Sequence, residues 1–345
     1  MITFHNPFHQ GHAPVHEFFR GERVPCFEKP ARVDYVEEAL RARGHGLMAP
    51  NVDSAPVLSQ VHAPRYLAFL QTAWRHWLAL DPANAGVQPF PSVWPVRTLR
   101  SDLEPENFVA RLGLYSMDNG TPMASGTWAA AKAGADAAAS ASTLVAQGAR
   151  VAFCCTRPPG HHAGPDFMGG YCFLNNAAVA AQVLRNQGAQ RVALLDVDYH
   201  HGNGTQSIFY DRADVLFISI HGDPRTEYPF YLGYADETGV GEGAGFNLNL
   251  PLPAGTSATT WFDALESACA RIASQGADAL VVSLGLDTFE GDPISKFALA
   301  SADFTRVGER LARAGLPTVF VLEGGYAAAE LGTNAVNVLD GFEQV

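Results

Sequence analysis

From residue 150 onward the chain alternates short apolar runs with longer amphipathic stretches. Val151–Cys155, Arg191–Asp196, Val215–Ile220, Ala279–Leu284 and Thr318–Leu322 are mostly apolar and read as strands. Helical patterns at Asn176–Gln187, Ser257–Ser274, Ser301–Ala314 and Ala328–Phe342 separate most of them, and Gly188, Gly276 and Gly315 stand where helix C-caps belong. Strands alternating with helices of this length predict an α/β fold with a central parallel sheet and helices on both faces.

The first half is less periodic. Pro30 opens a helix through Arg43 with Val33, Val36 and Leu40 on one face, and Gly44 closes it. A second helix follows Pro64, and its stripe of Tyr66, Phe69, Trp74 and Trp77 reads as core or interface. Ser125–Gln147 is an alanine-rich helix, capped by Ser or Thr, whose small residues suit close packing. Between these helices, residues 81–107 hold five prolines and no period. A stretch of that length inside a compact domain is usually functional or interfacial. Residues 1–29 read as a strand-like start and a loop, and the irregular spacing of His5, His9, His12 and His16 argues for a surface loop. With no linker in view, residues 1–345 read as a single domain carrying an insertion at about 81–107.

Composition narrows the function classes. The 345 residues are 47% hydrophobic, enough for a large core, yet no apolar run reaches the ~20 residues of a membrane span. The N-terminus lacks a basic start followed by an apolar core, and the five cysteines form no C-x-x-C pair, so a reducing cytoplasm is the expected location. A net charge of −12 argues against nucleic acid as partner and is compatible with cationic ligands.

Chemistry collects just after the strands, where ligand sites of such sheets lie. The run Leu194–Thr205 delivers Asp196, Asp198, His200 and His201 within six residues and then two glycines. Residues two apart in extended chain share a side, so Asp198 and His200 converge while His201 points elsewhere. A carboxylate and an imidazole aimed at one point suit zinc, and Asp287 after another strand completes the three protein ligands of an open catalytic site. The adjacent His161 and His162 can take a proton from an attacking water and protonate a departing nitrogen, with Asp196 and Asn203 as orienting partners. Tyr326, after Gly324-Gly325, can donate its hydroxyl to an oxyanion.

Arg157–Gly164, Gly169–Asn176, Asp196–Thr205, Leu284–Phe289 and Glu323–Tyr326 resemble, in order, the motif series of the histone deacetylase superfamily. Within it the chain most resembles bacterial acetylpolyamine amidohydrolases, through Ser92–Arg97, His221–Pro224 and Phe230–Ala235. The resemblance implies the arginase–deacetylase fold and one catalytic Zn(2+) per chain on Asp198, His200 and Asp287. His161, His162 and Tyr326 become its catalytic groups. A structural K(+) near Asp196, with Asp198, His200, Ser219 and Ile220 nearby, is likewise implied, as are Tyr171 and Tyr228 as aromatic tunnel positions. The insertion corresponds to one that builds a homodimer and narrows the tunnel. Asn203 stands where many eukaryotic relatives carry aspartate, and a neutral partner makes its histidine less basic.

The expected activity is hydrolysis of an acetyl amide on a small cationic amine, of the acetylputrescine or acetylcadaverine class. The alternatives are a protein acetyl-lysine deacetylase and a general small acetyl-amide hydrolase. A two-metal hydrolase would want a further aspartate where Gly202 stands, and a binding module without chemistry would have no need of His161, His162 and Tyr326 together. Asp102, Glu104, Glu106 and Asp118 are the carboxylates expected near the tunnel mouth.

Overall fold

The computed structural model describes residues 1–96 and 98–345; Arg97, part of the Ser92–Arg97 resemblance, lies outside the described residues. The N-terminal half contains β1 (Ile2–His5), an antiparallel ribbon of β2 (His16–Phe19) and β3 (Glu22–Pro25), α1 (Ala31–Ala42) and β4 (Gly46–Met48). Helices α2 (Ala55–Val61), α3 (Pro64–Leu80), α4 (Phe108–Leu114) and α5 (Thr127–Ala146) follow. The remainder runs β5 (Val151–Cys155), α6 (Asn176–Asn186), β6 (Val192–Asp196), α7 (Asn203–Phe209), β7 (Val215–Gly222) and β8 (Asn247–Leu252). It ends with α8 (Ala258–Gln275), β9 (Ala279–Leu284), α9 (Ser301–Ala312), β10 (Thr318–Leu322) and α10 (Ala328–Glu343).

Eight parallel strands form one sheet in the order β4-β1-β5-β10-β9-β6-β7-β8. The five strands read from residue 150 onward stand side by side in it, as β5-β10-β9-β6-β7. Alternation within them feeds two cores. Ala152, Cys154, Leu194, Val281 and Val321 face a layer that includes α3, α5 and α6. Phe153, Cys155, Leu195, Val282 and Leu322 face α1, α8, α9 and α10. Burial on both faces is why the central strands read as apolar runs. The edges are harder to read: β4 has three residues, and β8 carries Asn247, Asn249 and Pro251. Proline is tolerated there because an edge strand has backbone groups with no ladder partner.

Two expectations for the first half are corrected. His9 and His12 are buried, not on a surface loop, because the N-terminal segment folds over the site loops. The His12 ring pairs through Nδ1 with Thr127 Oγ1 at 2.8 Å and stands edge-on to Phe173. The alanine-rich helix begins at Thr127 with Gly126 as N-cap and no side-chain cap, because Thr127 Oγ1 turns back to accept the Ala124 N–H. Within residues 81–107 a short 3-10 turn spans Pro82–Gly86. The segment then lies against α4 so closely that a Cβ on Gly113 would stand 1.7 Å from the Val93 carbonyl oxygen.

Candidate active site

The C-terminal ends of β5, β6, β9 and β10 are neighbours in the sheet, so the loops that follow them meet. Past β6 the chain places Asp198 and His200, and past β9 it places Asp287. The ligating atoms of these three lie within 4.8 Å of one another. His200 Nδ1 is 3.0 Å from Asp287 Oδ2 and 3.3 Å from Asp198 Oδ1. The carboxylates are oriented by backbone: Tyr199 N–H donates to Asp287 Oδ1 and Gly324 N–H to Asp198 Oδ2, both at 2.8 Å. Glycine is needed at this approach, since a Cβ on Gly324 would meet Asp198 Oδ2 at 2.5 Å and Asp287 Oδ2 at 2.8 Å. His201 turns away, its Nε2 paired with Gln206 Oε1 at 3.0 Å.

Burial opposes charge on His200, but Asp198 and Asp287 outweigh it and raise its pKa to about 10. Burial and the neighbouring Asp198 push Asp287 up to about 7, whereas contact with His161 and His200 overcomes burial and depresses Asp198. Two carboxylates and one imidazole nitrogen, buried and converging, form a donor set that fits a divalent ion with an open position.

Past β5, Gly160 and His161 donate backbone N–H groups to Glu323 Oε2 at 2.6 and 3.1 Å, tying this loop to the one after β10. The rings of His161 and His162 lie 4.0 Å apart with unlike partners. His161 Nδ1 pairs with Asp196 Oδ2 at 2.9 Å, and His162 Nδ1 with Asn203 Oδ1 at 2.7 Å. Asn203 Nδ2 faces Met117 Sδ, which fixes the amide with its oxygen toward the ring. Burial disfavours charge on both rings. Asp198 and Asp196 reverse this for His161, raising its pKa to about 10. For His162 burial prevails, aided by His161 and His200, and the pKa falls well below its ordinary value.

The loop after β10 is held by a buried chain of charges. Arg32 donates to the carbonyls of Glu323 and Gly325, both at 2.6 Å, and its guanidinium stands 4.8 Å from the centre of the Tyr326 ring. Glu28 binds Arg32 on one side and Arg157 on the other, so one carboxylate spans the loops bearing Tyr326 and His161. Asp292 accepts the Tyr326 N–H at 2.7 Å.

A cavity of about 760 Å³ opens onto this cluster, within the usual range for small-molecule sites. His162, His200 and Tyr326 line its floor; Tyr171 and Tyr228 line it too, and His161 does not. Tyr171 stands 5.7 Å from Tyr326 and Tyr228 5.0 Å from His162, ring to ring. Tyr171 sits at φ 67°, an uncommon conformation for a bulky residue, held by its N–H to Thr121 Oγ1 and its hydroxyl to Glu17. Phe230 and Tyr231, from the Phe230–Ala235 stretch, lie at the mouth.

Of the four carboxylates expected at the mouth, only Asp118 lines this cavity. Asp102 pairs with Arg100 on the surface, Glu104 binds Arg111 and Tyr115, and Glu106 is exposed. Sequence reasoning missed Glu17, Met117, Asp292 and the Glu28 network. They are single residues on loops or short elements, and only tertiary folding brings them to the site.

The histone deacetylase domain matches residues 26–342. The chain belongs to the histone deacetylase family, and as a member it is a metal-dependent deacetylase. It is 53% identical to acetylpolyamine amidohydrolase 2 of Pseudomonas aeruginosa over all of this chain and 99% of that one. To the acetylpolyamine amidohydrolase of Mycoplana ramosa it is 46% identical over 94% of each. The crystal structure of the acetylpolyamine aminohydrolase from Burkholderia pseudomallei superimposes with a TM-score of 0.93 at 40% identity, covering 99% of this chain and 98% of that one.

Proposed function

We propose that this protein removes acetyl groups from acetylated polyamines of the acetylputrescine and acetylcadaverine class, giving acetate and the free amine. The observation that carries the reading is the convergence of Asp198, His200 and Asp287 with His162 and Tyr326 on the floor of one aromatic-walled cavity. In this proposal those first three residues hold one Zn(2+), which when bound would polarise the amide carbonyl and acidify a water.

His162 is the proposed base. It lines the cavity, and its Nδ1 faces the Asn203 oxygen, so its Nε2 is the nitrogen left for proton transfer. It takes a proton from the attacking water and returns it to the nitrogen as the C–N bond breaks. His161, whose Nδ1 pairs with the Asp196 carboxylate at 2.9 Å, would supply fixed positive charge beside the reaction. Tyr326 donates its hydroxyl to the oxyanion. The Arg32 guanidinium over its ring and Asp292 at its backbone fix the tyrosine, which lowers the reorganisation needed at the moment of reaction.

The accompanying proposals are a single catalytic domain over 1–345, the 81–107 insertion and a homodimer. Val87, Val93, Val96, Leu99 and Leu103 are all more than half exposed, which a second copy could cover. Trp94, Pro95 and Val96 line a second cavity that shares Met117, Asp118 and Asn119 with the first, so contacts there bear on substrate entry. We also propose a structural K(+) beside Asp196 and Ser219, which are paired in register across β6 and β7, and a cytoplasmic location. No helix of the described residues is long and apolar enough to cross a membrane. A panel of acetylated diamines, longer acetylpolyamines and acetyl-lysine peptides on metal-loaded protein tests the reading. Higher kcat/KM on the peptides would replace it with a protein deacetylase.

A further inference from the structure

The cavity mouth carries a cation that has no part in the chemistry of the floor. Arg20 is the only lysine or arginine among the described residues that line the cavity. It is exposed and stands at the tip of the β2–β3 hairpin. Glu17, three residues earlier, is buried in the cavity wall. Three residues of extended chain span ~10 Å, so the hairpin runs from the wall to the rim.

No carboxylate of the cavity neutralises this charge. Asp118 accepts from Gly120 N–H, the Thr121 hydroxyl, Gly170 N–H and the Tyr228 hydroxyl. Glu17 accepts from the Tyr171 hydroxyl and the Phe27 N–H, and Glu227 pairs with Lys296. Arg20 itself has no ion-pair partner among the described residues, and its guanidinium lies 5.0 Å from the centre of the Phe19 ring.

The backbone gives no reason for an arginine here. Phe19 and Glu22 are paired in register, which leaves Arg20-Gly21 as a two-residue loop, and both residues have positive φ, 51° and 85°. Such loops favour Asn-Gly, since asparagine tolerates the left-handed region and long side chains are uncommon in it. Residues held in that region cluster at functional sites. What arginine adds over asparagine is a charge at the rim.

We propose that Arg20 is a charge filter at the mouth: it repels an ammonium that arrives there, and so favours acetylated amines whose charge ends inside the cavity. The proposal rests on the acetylpolyamine reading above and adds to it the residue that sorts short acetylated diamines from longer acetylpolyamines. Each further aminopropyl unit carries another ammonium outward, toward Arg20. Like charges brought together disfavour the wrong partner and slow its entry. The net charge of −12 attracts polycations from all sides, so the discrimination has to be local, and the rim is where Arg20 stands.

The test measures kcat/KM of zinc-loaded wild type and Arg20→Asn on N-acetylputrescine, on N1-acetylspermine and on a neutral acetamide with an oligoether chain as long as spermine. Asparagine suits the left-handed turn, and thermal unfolding checks that the fold is kept. Arg20→Asn is expected to raise the acetylspermine-to-acetylputrescine ratio by ~3–5-fold, the scale of one exposed charge. The neutral chain should show no such gain, and Arg20→Lys should keep the wild-type ratio. The gap between wild type and Arg20→Asn should close in high salt. An unchanged ratio in Arg20→Asn, or a gain shared by the neutral chain, overturns the filter and leaves the polyamine reading standing. Equal kcat/KM for N-acetylputrescine and the neutral N-butylacetamide in wild type would overturn the polyamine reading and the filter with it.

Discussion

Replacing Gly324 by alanine tests whether the loop after β10 is part of the metal site. The added methyl would lie 2.5 Å from Asp198 Oδ2 and 2.8 Å from Asp287 Oδ2, where ordinary contact begins at 3.4 Å. Something must give by roughly 0.6–0.9 Å, several times the ~0.2 Å tolerance of a metal–ligand distance. If the loop retreats, Asp198 loses the Gly324 N–H at 2.8 Å that orients it. If the carboxylates move, the donor triangle opens. Either route disturbs a proposed ligand, and loss of an orienting contact typically costs 10–100-fold in metal affinity. Gly324→Ala is therefore expected to release zinc to a competing chelator at least ~10-fold more readily than wild type. Excess zinc should restore part of the activity. Gly46→Ala, with nothing within 4 Å of its added methyl, is the control and should behave as wild type. A Gly324→Ala protein that binds zinc as tightly as wild type and keeps its kcat would refute the reasoning.

Asp287→Ala leaves two protein ligands and should hold no stoichiometric zinc after dialysis, read by elemental analysis; full occupancy would remove Asp287 from the metal set. Tyr326→Phe should lower kcat by ~10²–10³ with little change in substrate binding, since the proposed hydroxyl donor acts mainly in the transition state; an unchanged kcat would return Tyr326 to a packing role. Glu28 predicts an acid limit to stability. Burial alone would raise its pKa, but Arg157 and Arg32 hold it at about 2, below the ordinary 4.5. A folded pKa below the unfolded one gives stability that is complete above about pH 4.5 and lost as the pH falls toward 2. Urea midpoints should drop across that window, and in Glu28→Gln the Glu28 share of the slope should vanish.

Legibility in the sequence followed burial. The five adjacent strands and the loops after them could be read because a strand covered on both faces must be apolar and because glycine marks a tight approach. The same signal led from Gly324-Gly325 to Tyr326, and the cavity brings that residue together with His162 and His200. Residues that act through tertiary contact left no such mark. Glu17 lies in a short strand between His16 and Phe18, and nothing in that run says its carboxylate will meet the Tyr171 hydroxyl 154 positions away. Glu28 looks like an ordinary charge before a helix until Arg157 arrives from β5. His9 and His12 were misread for the same reason, since irregular spacing carries no information about a segment that folds over its own loops.

The unequal histidines follow from counting charge. Asp196, Asp198 and Asp287 are three carboxylates with almost no exposure to water. A divalent ion in the proposed site, the proposed K(+) beside Asp196 and one imidazolium at His161 would offset them and leave a slight excess of positive charge. Burial presses Glu323 up to about 7 despite the opposing pull of His161, so near neutral pH it adds only a fraction of a further negative charge. A second imidazolium would unbalance this set, and Asn203 is the residue that avoids it. Its oxygen orients His162 without contributing a charge, while Met117 Sδ at 3.1 Å holds the amide against flipping. Asn203→Asp would add a carboxylate beside His162 and raise its pKa, moving the acid limb of kcat/KM to higher pH. If the acid limb stays in place with the fold intact, the proton the reaction needs is not carried by His162.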